Sequence, residues 1–327
     1  MKSPFTGKEM KQVYDKRTWN FRGEKFEYTH ASWLCEDTGE MFTTDESDAV
    51  SFLQVTNQYR AKYGLPFVDE IVTLREFYGV SASKMSLILG FGPNQWRLYE
   101  GGEVPSVSNG RMIRSIMKAE VFLDMVENSR HLLLQKEYEK LTLRLKSLSE
   151  EPSNIHSYEL SRLFACGRGQ ENGFGRISLD RLKNALLYII DKCDGVFCTK
   201  MNKLLFYIDF MSYRQNGMSI TGLSYKALDY GPVPERWSRI YSHFDEIVQE
   251  PKQSWGKEGI TLSSTIKPDI ALFSQQELAI MEQVCSHFMD SSSVEISNIS
   301  HKEAAWLECH AAHERIPYDY AFELKAV

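Results

Sequence analysis

The sequence lacks any apolar run that approaches the roughly 20 residues needed to cross a bilayer as a helix. Its opening stretch, MKSPFTGKEM, lacks the hydrophobic segment of a signal peptide. Only six cysteines occur in 327 residues, at irregular spacing, which excludes the dense disulfide framework of a small secreted domain. These absences predict a cytoplasmic protein with free thiols and no membrane partner.

Signatures of common catalytic sites are also missing. The glycines of Gly90-Phe91-Gly92 are not followed by Lys-Ser or Lys-Thr, so the segment is not a phosphate-binding loop. Cys193 and Cys198 are five positions apart, unlike a redox Cys-x-x-Cys pair. We therefore expect no enzyme activity.

One group of residues near the C-terminus could in principle bind a metal. His310 and His313 follow Cys309, and two imidazoles three positions apart share one helix face. The spacing supplies neither a further ligand nor a closed geometry, so we expect neither a metal nor another cofactor. A hydrolase that uses His301 or the Cys309 group stays a third functional hypothesis, behind two non-catalytic ones.

The composition is that of a globular protein, with 43% apolar and 25% charged residues. The net charge of −6 argues against a nucleic-acid-binding surface over the whole chain. Charge is nevertheless uneven, because residues 79–118 hold five basic and two acidic side chains, a difference of +3. An anionic partner is expected at this segment.

Periodicity divides the chain into several parts. Aromatic and polar residues alternate over residues 8–44, with breaks at Arg22-Gly23 and 37–39, which predicts antiparallel hairpins. Helical spacing dominates the rest, and residues 149–176 have little periodicity. The fold class is therefore multidomain and mainly α, with a small antiparallel β domain first and a minor β element in the last domain. The predicted parts are a β-rich domain (1–46), a connecting helix (47–66), a DNA-binding helical bundle (67–130), a helical spacer and linker (131–176), and a mostly helical domain (177–327).

Residues 67–119 predict a helix-turn-helix. A first helix should end at Gly79, and Ser81 is placed to cap the second helix. Pro93 fits the first turn of a third helix, which Gly101-Gly102 should end. Such a unit presents the N-terminal side chains of its last helix to the major groove.

The polar residues of the third helix suit base edges. Asn94 and Gln95 carry amides that can pair with adenine, and Arg97 can pair with guanine. Lys84 and Arg111 are assigned to phosphates. The alternative is that these side chains only solvate the start of a helix.

The other residues of this segment are assigned to structure. Leu98 and Tyr99 are expected to anchor the third helix to the bundle. Arg75 and Glu100 are expected to form a buried ion pair between the first and third helices.

The segments YRAKYGLP, LREFYGVSASKMSLILGFG and NQWRLYEGGEVPS resemble the helix-turn-helix of MqsA-type (YgiT-type zinc-finger) antitoxin regulators. The resemblance implies a preceding β-rich zinc finger with two Cys-x-x-Cys knuckles. Here the knuckle positions hold Ser3, Thr6, Cys35 and Thr38, which are poor zinc ligands as a set. We expect a degenerate finger without metal, whose core is replaced by aromatic residues. These are Trp19, Phe21, Phe26, Tyr28 and Trp33.

The C-terminal part, about residues 178–327, resembles the Panacea (SocA-like) antitoxin domain. The motifs that carry the resemblance are KLLFY at 203–207, YGPV at 230–233, the pair His301 and Trp306, and the closing IPYDYAFELK. The resemblance implies a mostly helical domain that binds and neutralises a toxin encoded beside it. A protease is a further partner that it implies.

The YGPV segment is the predicted toxin-binding turn. Gly231 permits close backbone approach, and prolines limit the entropy lost when a partner orders the turn. Exposed aromatic residues would suit a hot spot, whereas the alternative is that they fill the core. The residues assigned to toxin binding are Tyr225, Tyr230, Gly231, Pro232, Val233 and Trp237.

Both resemblances predict the antitoxin of a type II toxin–antitoxin pair. Its C-terminal domain would bind the toxin, and its helix-turn-helix would bind operator DNA and repress the operon. Because one helix-turn-helix contacts few base pairs, a homodimer on two half-sites is expected. The second hypothesis is a proteolytic adaptor or interaction scaffold without DNA binding.

Overall fold

The computed structural model describes residues 1–149, 153–254 and 257–327, and the chain forms two compact units. Unit 1 combines Met1–Val55 with His156–Val327, and unit 2 is Thr56–Ile155. The fold is mainly α with small antiparallel sheets, which confirms the predicted class. Among the described residues, none of the helices has the length and apolarity to span a membrane. The first and last predicted domains share one unit, a grouping that chain order does not indicate.

The N-terminal sheet is a long hairpin with a short third strand. Strands β1 (Lys11–Phe21) and β2 (Glu24–Leu34) pair antiparallel, and β3 (Met41–Phe42) pairs with the end of β2. The turn residues Arg22 and Gly23 both have positive φ, at 52° and 84°, as a two-residue type I′ turn requires. The predicted hairpin is therefore confirmed.

The four knuckle positions lie together beside this sheet. The Ser3 hydroxyl donates a hydrogen bond to Cys35 Sγ at 3.2 Å, and Thr6 Oγ1 lies 3.9 Å from the same sulfur. Hydrogen bonds from Ser3 and Thr38 lower the pKa of Cys35 to about 7. Hydroxyl groups thus surround the single thiol and form polar contacts with it.

The predicted aromatic core of this domain is only partly right. Phe26 is buried, but Trp19 is 37% exposed and the other three rings are half-buried. The sheet is instead fixed by helix α1 (Asp45–Tyr63). The Gln54 side chain accepts from the Thr29 amide at 3.0 Å and donates to its carbonyl at 2.8 Å.

Unit 2 continues from α1 as a helical bundle, and the predicted stop before Gly64 is confirmed. Its helices are α2 (Val68–Tyr78), α3 (Ala82–Ile88), α4 (Gln95–Glu100), α5 (Val107–Ser115), α6 (Ala119–Asn128) and α7 (Gln135–Ser149). Gly79 ends α2 with φ of 67°, and Ser81 caps α3 by accepting from the Lys84 amide, both as predicted. Pro93 lies two residues ahead of α4, so its predicted place in the first turn is wrong.

The segment predicted as a spacer is part of this bundle. Leu145 of α7 is fully buried in one core with Tyr78 and Phe122, whose rings stack at 4.7 Å. The Arg144 guanidinium donates to the Phe77 carbonyl at 2.6 and 2.9 Å. Helix α7 therefore packs across α2 and α6 and does not extend from the bundle as a spacer.

The C-terminal part of unit 1 surrounds one long helix. Its helices are α8 (Ser153–Leu163), α9 (Leu179–Cys193), α10 (Cys198–Asn216), α11 (Trp237–His243), α12 (Gln275–His287), α13 (Ser293–Ser300) and α14 (Ala304–Cys309). Its strands are β4 (Val196–Phe197), β5 (Tyr225–Leu228), β6 (Gly231–Pro234), β7 (Val248–Ser254) and β8 (Lys257–Ser263), arranged as a β4-β8-β7 sheet and a β5-β6 hairpin. Every residue from Met201 to Tyr213 in α10 is buried, so this helix is the centre of the domain.

The predicted linker is wrong for residues 170–175. Asn172 is completely buried and donates to the Gly222 carbonyl at 3.1 Å, while Phe174 packs in the core. A Cβ on Gly175 would lie 2.0 Å from Ser219 Oγ and 2.7 Å from the Gly222 backbone. The glycines of this segment serve close packing and are not the mark of a flexible connection.

Candidate functional site

Helix α4 presents two of its predicted reading residues to solvent. Asn94 is the N-cap residue, is exposed, and makes no side-chain capping bond. Arg97 is exposed, and no described residue pairs with it. Gln95 is half-buried and donates to Glu103 at 3.0 Å. The amide of Asn94 and the guanidinium of Arg97 are therefore accessible, whereas Gln95 must leave Glu103 to reach a ligand.

The residue that holds α4 in place is Trp96, which sequence reasoning missed. It is fully buried, its amide donates to Ser86 Oγ at 3.0 Å, and its indole donates to Glu100 at 2.9 Å. Glu100 also accepts from Arg75 at 2.5 Å, with both side chains less than a quarter exposed, so the predicted ion pair is confirmed. Leu98 is 50% exposed, so its assignment as an anchor is wrong.

Tyr99, the other predicted anchor, is buried and accepts a hydrogen bond from Asn109 of α5 at 2.8 Å. The rigid part of α4 is thus its inner face, built from Trp96 and Tyr99. The outer face leaves Asn94, Arg97 and Leu98 in solvent.

The two residues predicted to contact phosphate, Lys84 and Arg111, differ in whether an acidic residue already pairs with them. Lys84 pairs with Glu137 of α7, which also lowers the pKa of that carboxyl. Arg111 is exposed and has no acidic partner among the described residues. Arg114 is paired with Glu70 at 3.0 Å. Two of the five basic residues of segment 79–118 are therefore paired with acidic residues from outside the segment. The positive charge that this segment can offer to an anionic partner is smaller than the difference of +3 suggests.

The YGPV segment forms the second half of the β5-β6 hairpin. Tyr225 pairs with Pro234, and Leu228 pairs with Gly231, so Asp229 and Tyr230 are the tip. Tyr230 is 76% exposed. The tip is the accessible part of the predicted toxin-binding turn.

The rest of that turn is more enclosed than predicted. Gly231, Pro232 and Val233 are buried, and Trp237 is half-buried at the start of α11. Tyr225 is fully buried, so its assignment as an exposed aromatic residue is wrong.

The Tyr225 hydroxyl belongs to a polar network under the hairpin. It donates to Asp209 Oδ2 at 2.6 Å, while the amides of Ile220 and Thr221 donate to Oδ1 at 2.9 and 2.8 Å. Burial raises the pKa of Asp209 to about 6, although these hydrogen bonds act in the opposite direction. The hydrogen bonds satisfy the buried carboxyl and fix the base of the hairpin to α10.

A buried lysine lies beneath Gly231. Lys203 is completely buried, and its Nζ makes no hydrogen bond with any described residue. Burial lowers its pKa to about 7. A Cβ on Gly231, where φ is 101°, would lie 2.7 Å from Lys203 Cε and 2.5 Å from Ser300 Oγ. Any other residue would have to displace the side chains of Lys203 and Ser300 and would adopt a strained backbone conformation.

Three stacked rings follow Ser300 in the chain, beginning with His301. His301 stacks on Trp306 with 4.1 Å between ring centroids, and Trp306 stacks on His310 at the same distance. The Trp306 indole donates to the Leu228 carbonyl at 2.8 Å. These rings therefore join α14 to strand β5.

The two histidines predicted to share a helix face do come together, but with an unexpected third residue. His310 Nε2 and His313 Nε2 lie 3.3 and 3.0 Å from Asp229 Oδ1. The pair lowers the pKa of Asp229, with His313 contributing more than His310. Cys309 is buried and is not in this group.

The comparison with protein families concerns the C-terminal part. Residues 201–307 match the family model described as antitoxin SocA-like, Panacea domain. The match covers about a third of the chain and supports the resemblance predicted for that part. No curated protein and no solved structure matches the chain. The resemblance of the helix-turn-helix to MqsA-type regulators stays a prediction.

The motifs of the Panacea match converge in space. Lys203, Gly231 and His301 come from three separate segments and lie around one buried point. Sequence reasoning named the motifs but missed the roles of Lys203, Asp209 and Asp229. A charged residue within an apolar helix was the signal available for the first two, since such residues are rarely buried without a specific reason.

Proposed function

We propose that the chain is a type II antitoxin that neutralises a toxin through its Panacea part and represses its own operon through unit 2. The observation that carries the proposal is the match of residues 201–307 to an antitoxin domain. A toxin encoded by an adjacent gene is the partner that this match implies. The proposed function is a binding function and includes no catalytic step.

The hairpin tip is the proposed contact with the toxin. Tyr230 supports it because a large aromatic side chain that is 76% exposed on a rigid hairpin gives contact area at low entropic cost. Val233 and Tyr225 support the tip from below and take no direct part. Trp237 and Pro232 contribute to the shape of the hairpin.

Binding of the toxin is tested with the product of the adjacent gene and the purified full chain. Tyr230→Ala should weaken the complex about 30-fold, equivalent to roughly 2 kcal/mol at a hot spot. Tyr158→Ala is the matched control, because Tyr158 of α8 is 63% exposed. If both variants bind as tightly as the wild type, the tip is not the contact; if the wild type does not bind, the antitoxin proposal fails.

Operator binding is proposed for the outer face of α4. Asn94 and Arg97 support it because they are exposed, carry groups that suit adenine and guanine, and project from a helix whose inner face is fixed by Trp96. Arg111 is proposed to contact phosphate. Lys84 and Gln95 would first exchange their acidic partners for DNA.

A homodimer is part of this proposal, since paired half-sites need two reading helices. Exposed apolar side chains on unit 2 support a protein contact there. They include Leu87, Leu98 and Met112.

Binding to the upstream intergenic DNA is tested by gel shift over a range of salt concentrations. Asn94→Ala with Arg97→Ala should weaken the shift more than about 100-fold, since each good base contact is worth about 1–3 kcal/mol. Lys140→Ala, which removes one exposed charge from α7, should change it little. Toxin binding should be unaffected in the double variant. An unchanged shift would exclude α4 as the reading helix.

The alternative is a proteolytic adaptor or an interaction scaffold that does not bind DNA. Its partners would be the toxin and a protease. It is favoured by the contacts of Lys84 with Glu137 and of Gln95 with Glu103, which occupy two of the five proposed DNA-binding side chains. An adaptor would show no steep salt dependence of binding to the intergenic DNA.

A further inference from the structure

Asp229, His310 and His313 form a group with the geometry of metal ligands. Their ligand atoms all lie within 4.8 Å of one another, and Asp229 Oδ1 lies 3.0 and 3.3 Å from the two Nε2 atoms. Zinc binds imidazole nitrogen and carboxylate oxygen at about 2.0–2.2 Å, so ligands in a tetrahedron are about 3.3 Å apart. Both histidine–aspartate distances are therefore close to the spacing that the ion requires, and the third pair of ligand atoms lies within 4.8 Å.

The backbone and neighbouring rings hold the three residues in place. His310 stacks on Trp306, whose indole is bonded to the Leu228 carbonyl next to Asp229. The segment after His313 pairs with β5, because the Ala227 amide donates to the Glu314 carbonyl at 3.1 Å and the Ile316 amide donates to the Tyr225 carbonyl at 2.8 Å. The histidine segment and the hairpin tip are thus fixed to each other by at least three hydrogen bonds.

His313 has a backbone conformation that suits this arrangement. Its φ of 50° and ψ of 41° are left-handed, and its amide donates to the His310 carbonyl at 3.0 Å. This turn ends the helical segment and directs both imidazoles toward the same carboxylate oxygen. A continued α-helix would place residues three apart on one face, but it would not bring the chain back to β5.

The ligand types favour a metal ion that is intermediate between hard and soft, such as zinc. Two imidazoles and one carboxylate match the three-ligand sets of zinc sites that keep an open position. The side chains are 33%, 51% and 73% exposed for His310, His313 and Asp229, so solvent or a partner can reach a bound ion. Hard cations such as Mg²⁺ would prefer oxygen ligands.

We propose that Asp229, His310 and His313 bind one zinc ion, with the remaining coordination open to solvent beside the hairpin tip. The site is independent of the antitoxin function, because it rests on the ligand geometry alone. A bound ion would join the turn that follows α14, through His310 and His313, to the β5-β6 hairpin, through Asp229. Sequence reasoning expected no metal because the third ligand lies 81 positions before His310.

The test uses the full chain without a histidine tag, freed of metal by dialysis against EDTA. Titration with ZnCl₂ in a calorimeter should give one ion per chain with a dissociation constant in the micromolar range or below. Substitution by Co²⁺ should give the absorption bands of a tetrahedral or five-coordinate site. A dissociation constant in the millimolar range would mean adventitious surface binding and would overturn the proposal.

Two variants and one control assign the ligands. Asp229→Asn and His313→Asn should each weaken zinc binding about 100-fold or more, since even outer-shell partners are worth 10–100-fold. Asn is chosen at position 313 because it tolerates left-handed backbone. His287→Ala removes an exposed histidine from α12 and should leave the affinity unchanged. If Asp229→Asn and His313→Asn both bind zinc like the wild type, the proposed site is wrong.

Discussion

Replacement of Lys203 by methionine should stabilise the protein, and the gain should depend on pH. Methionine has nearly the same length and shape as the buried part of lysine, so the packing of α10 should change little. The ammonium group, in contrast, is completely buried and lacks a hydrogen-bond partner among the described residues. Removing it removes an uncompensated desolvation cost.

The magnitude follows from the pKa of Lys203, which burial lowers from 10.5 to about 7. One pKa unit corresponds to about 1.4 kcal/mol, so the cost of the buried lysine is at most about 5 kcal/mol below pH 7. Between pH 7 and 10.5 the unfolded chain binds the proton and the folded chain does not, so the wild type gains stability as pH rises. The pH-dependent part of the advantage of Lys203→Met should therefore fall to about 2 kcal/mol at pH 9 and vanish above pH 10.5.

Hydrogen exchange of the α10 amides, corrected for intrinsic rates, measures this difference in the domain that holds Lys203. Wild type and Lys203→Met are compared at pH 6, 7.5 and 9. Lys200→Met is the matched control, because Lys200 lies on the same helix and its ammonium reaches the Met289 carbonyl at 2.9 Å at the surface. A stability difference for Lys203→Met that is the same at all three pH values would refute the reasoning.

Two further substitutions test the packing that positions each candidate site. Trp96→Ala should destabilise unit 2 by about 3–5 kcal/mol, because it leaves a large cavity and removes one of the two hydrogen-bond donors to Glu100, and urea unfolding followed by circular dichroism measures it. Gly231→Ala should cost about 3 kcal/mol from backbone strain and from the contacts with Lys203 and Ser300. Gly102→Ala, with φ of 104° and open space around its Cβ, should show the strain alone, about 1 kcal/mol, in the same unfolding assay. Equal losses at positions 231 and 102 would mean that the close contacts contribute nothing.

Features set by neighbouring residues could be predicted from the sequence. The turn at Arg22-Gly23, the end of α2 at Gly79 and the cap at Ser81 all depend on backbone conformations that a few side chains decide. The ion pair of Arg75 with Glu100 was also predictable, because both residues lie on helices whose order and spacing were clear. Local chemistry was sufficient for the turn, the helix end and the cap, whereas the ion pair joins residues 25 positions apart and also required the two helices to pack together.

Features set by tertiary packing could not be predicted in the same way. Residues 170–175 have the composition of a linker, yet Asn172 and Gly175 lie in the core because the chain passes close to Gly222. Leu98 and Trp96 are both apolar, and only the rotation of α4 against α3 shows which of them is inside. The glycines therefore indicated an unusual backbone environment, and the apolar residues indicated burial. The sequence did not show whether a glycine lies in a loop or in the core, or which apolar residue of a helix faces inward.

The same distinction applies to the candidate toxin-binding surface. The motif residues Lys203 and Gly231 are buried, and His301 beside them is half-buried, so close contacts and burial already explain why the first two residue types are present. A partner cannot contact Lys203 or Gly231 without opening the hairpin, so these two residues contribute to the architecture of the Panacea part and not to its binding surface. The proposed toxin contact therefore depends on the exposed motif residue Tyr230, which is 76% exposed at the tip of the hairpin. Substitutions at Gly231 should thus act on folding, whereas substitutions at Tyr230 should act on partner binding alone.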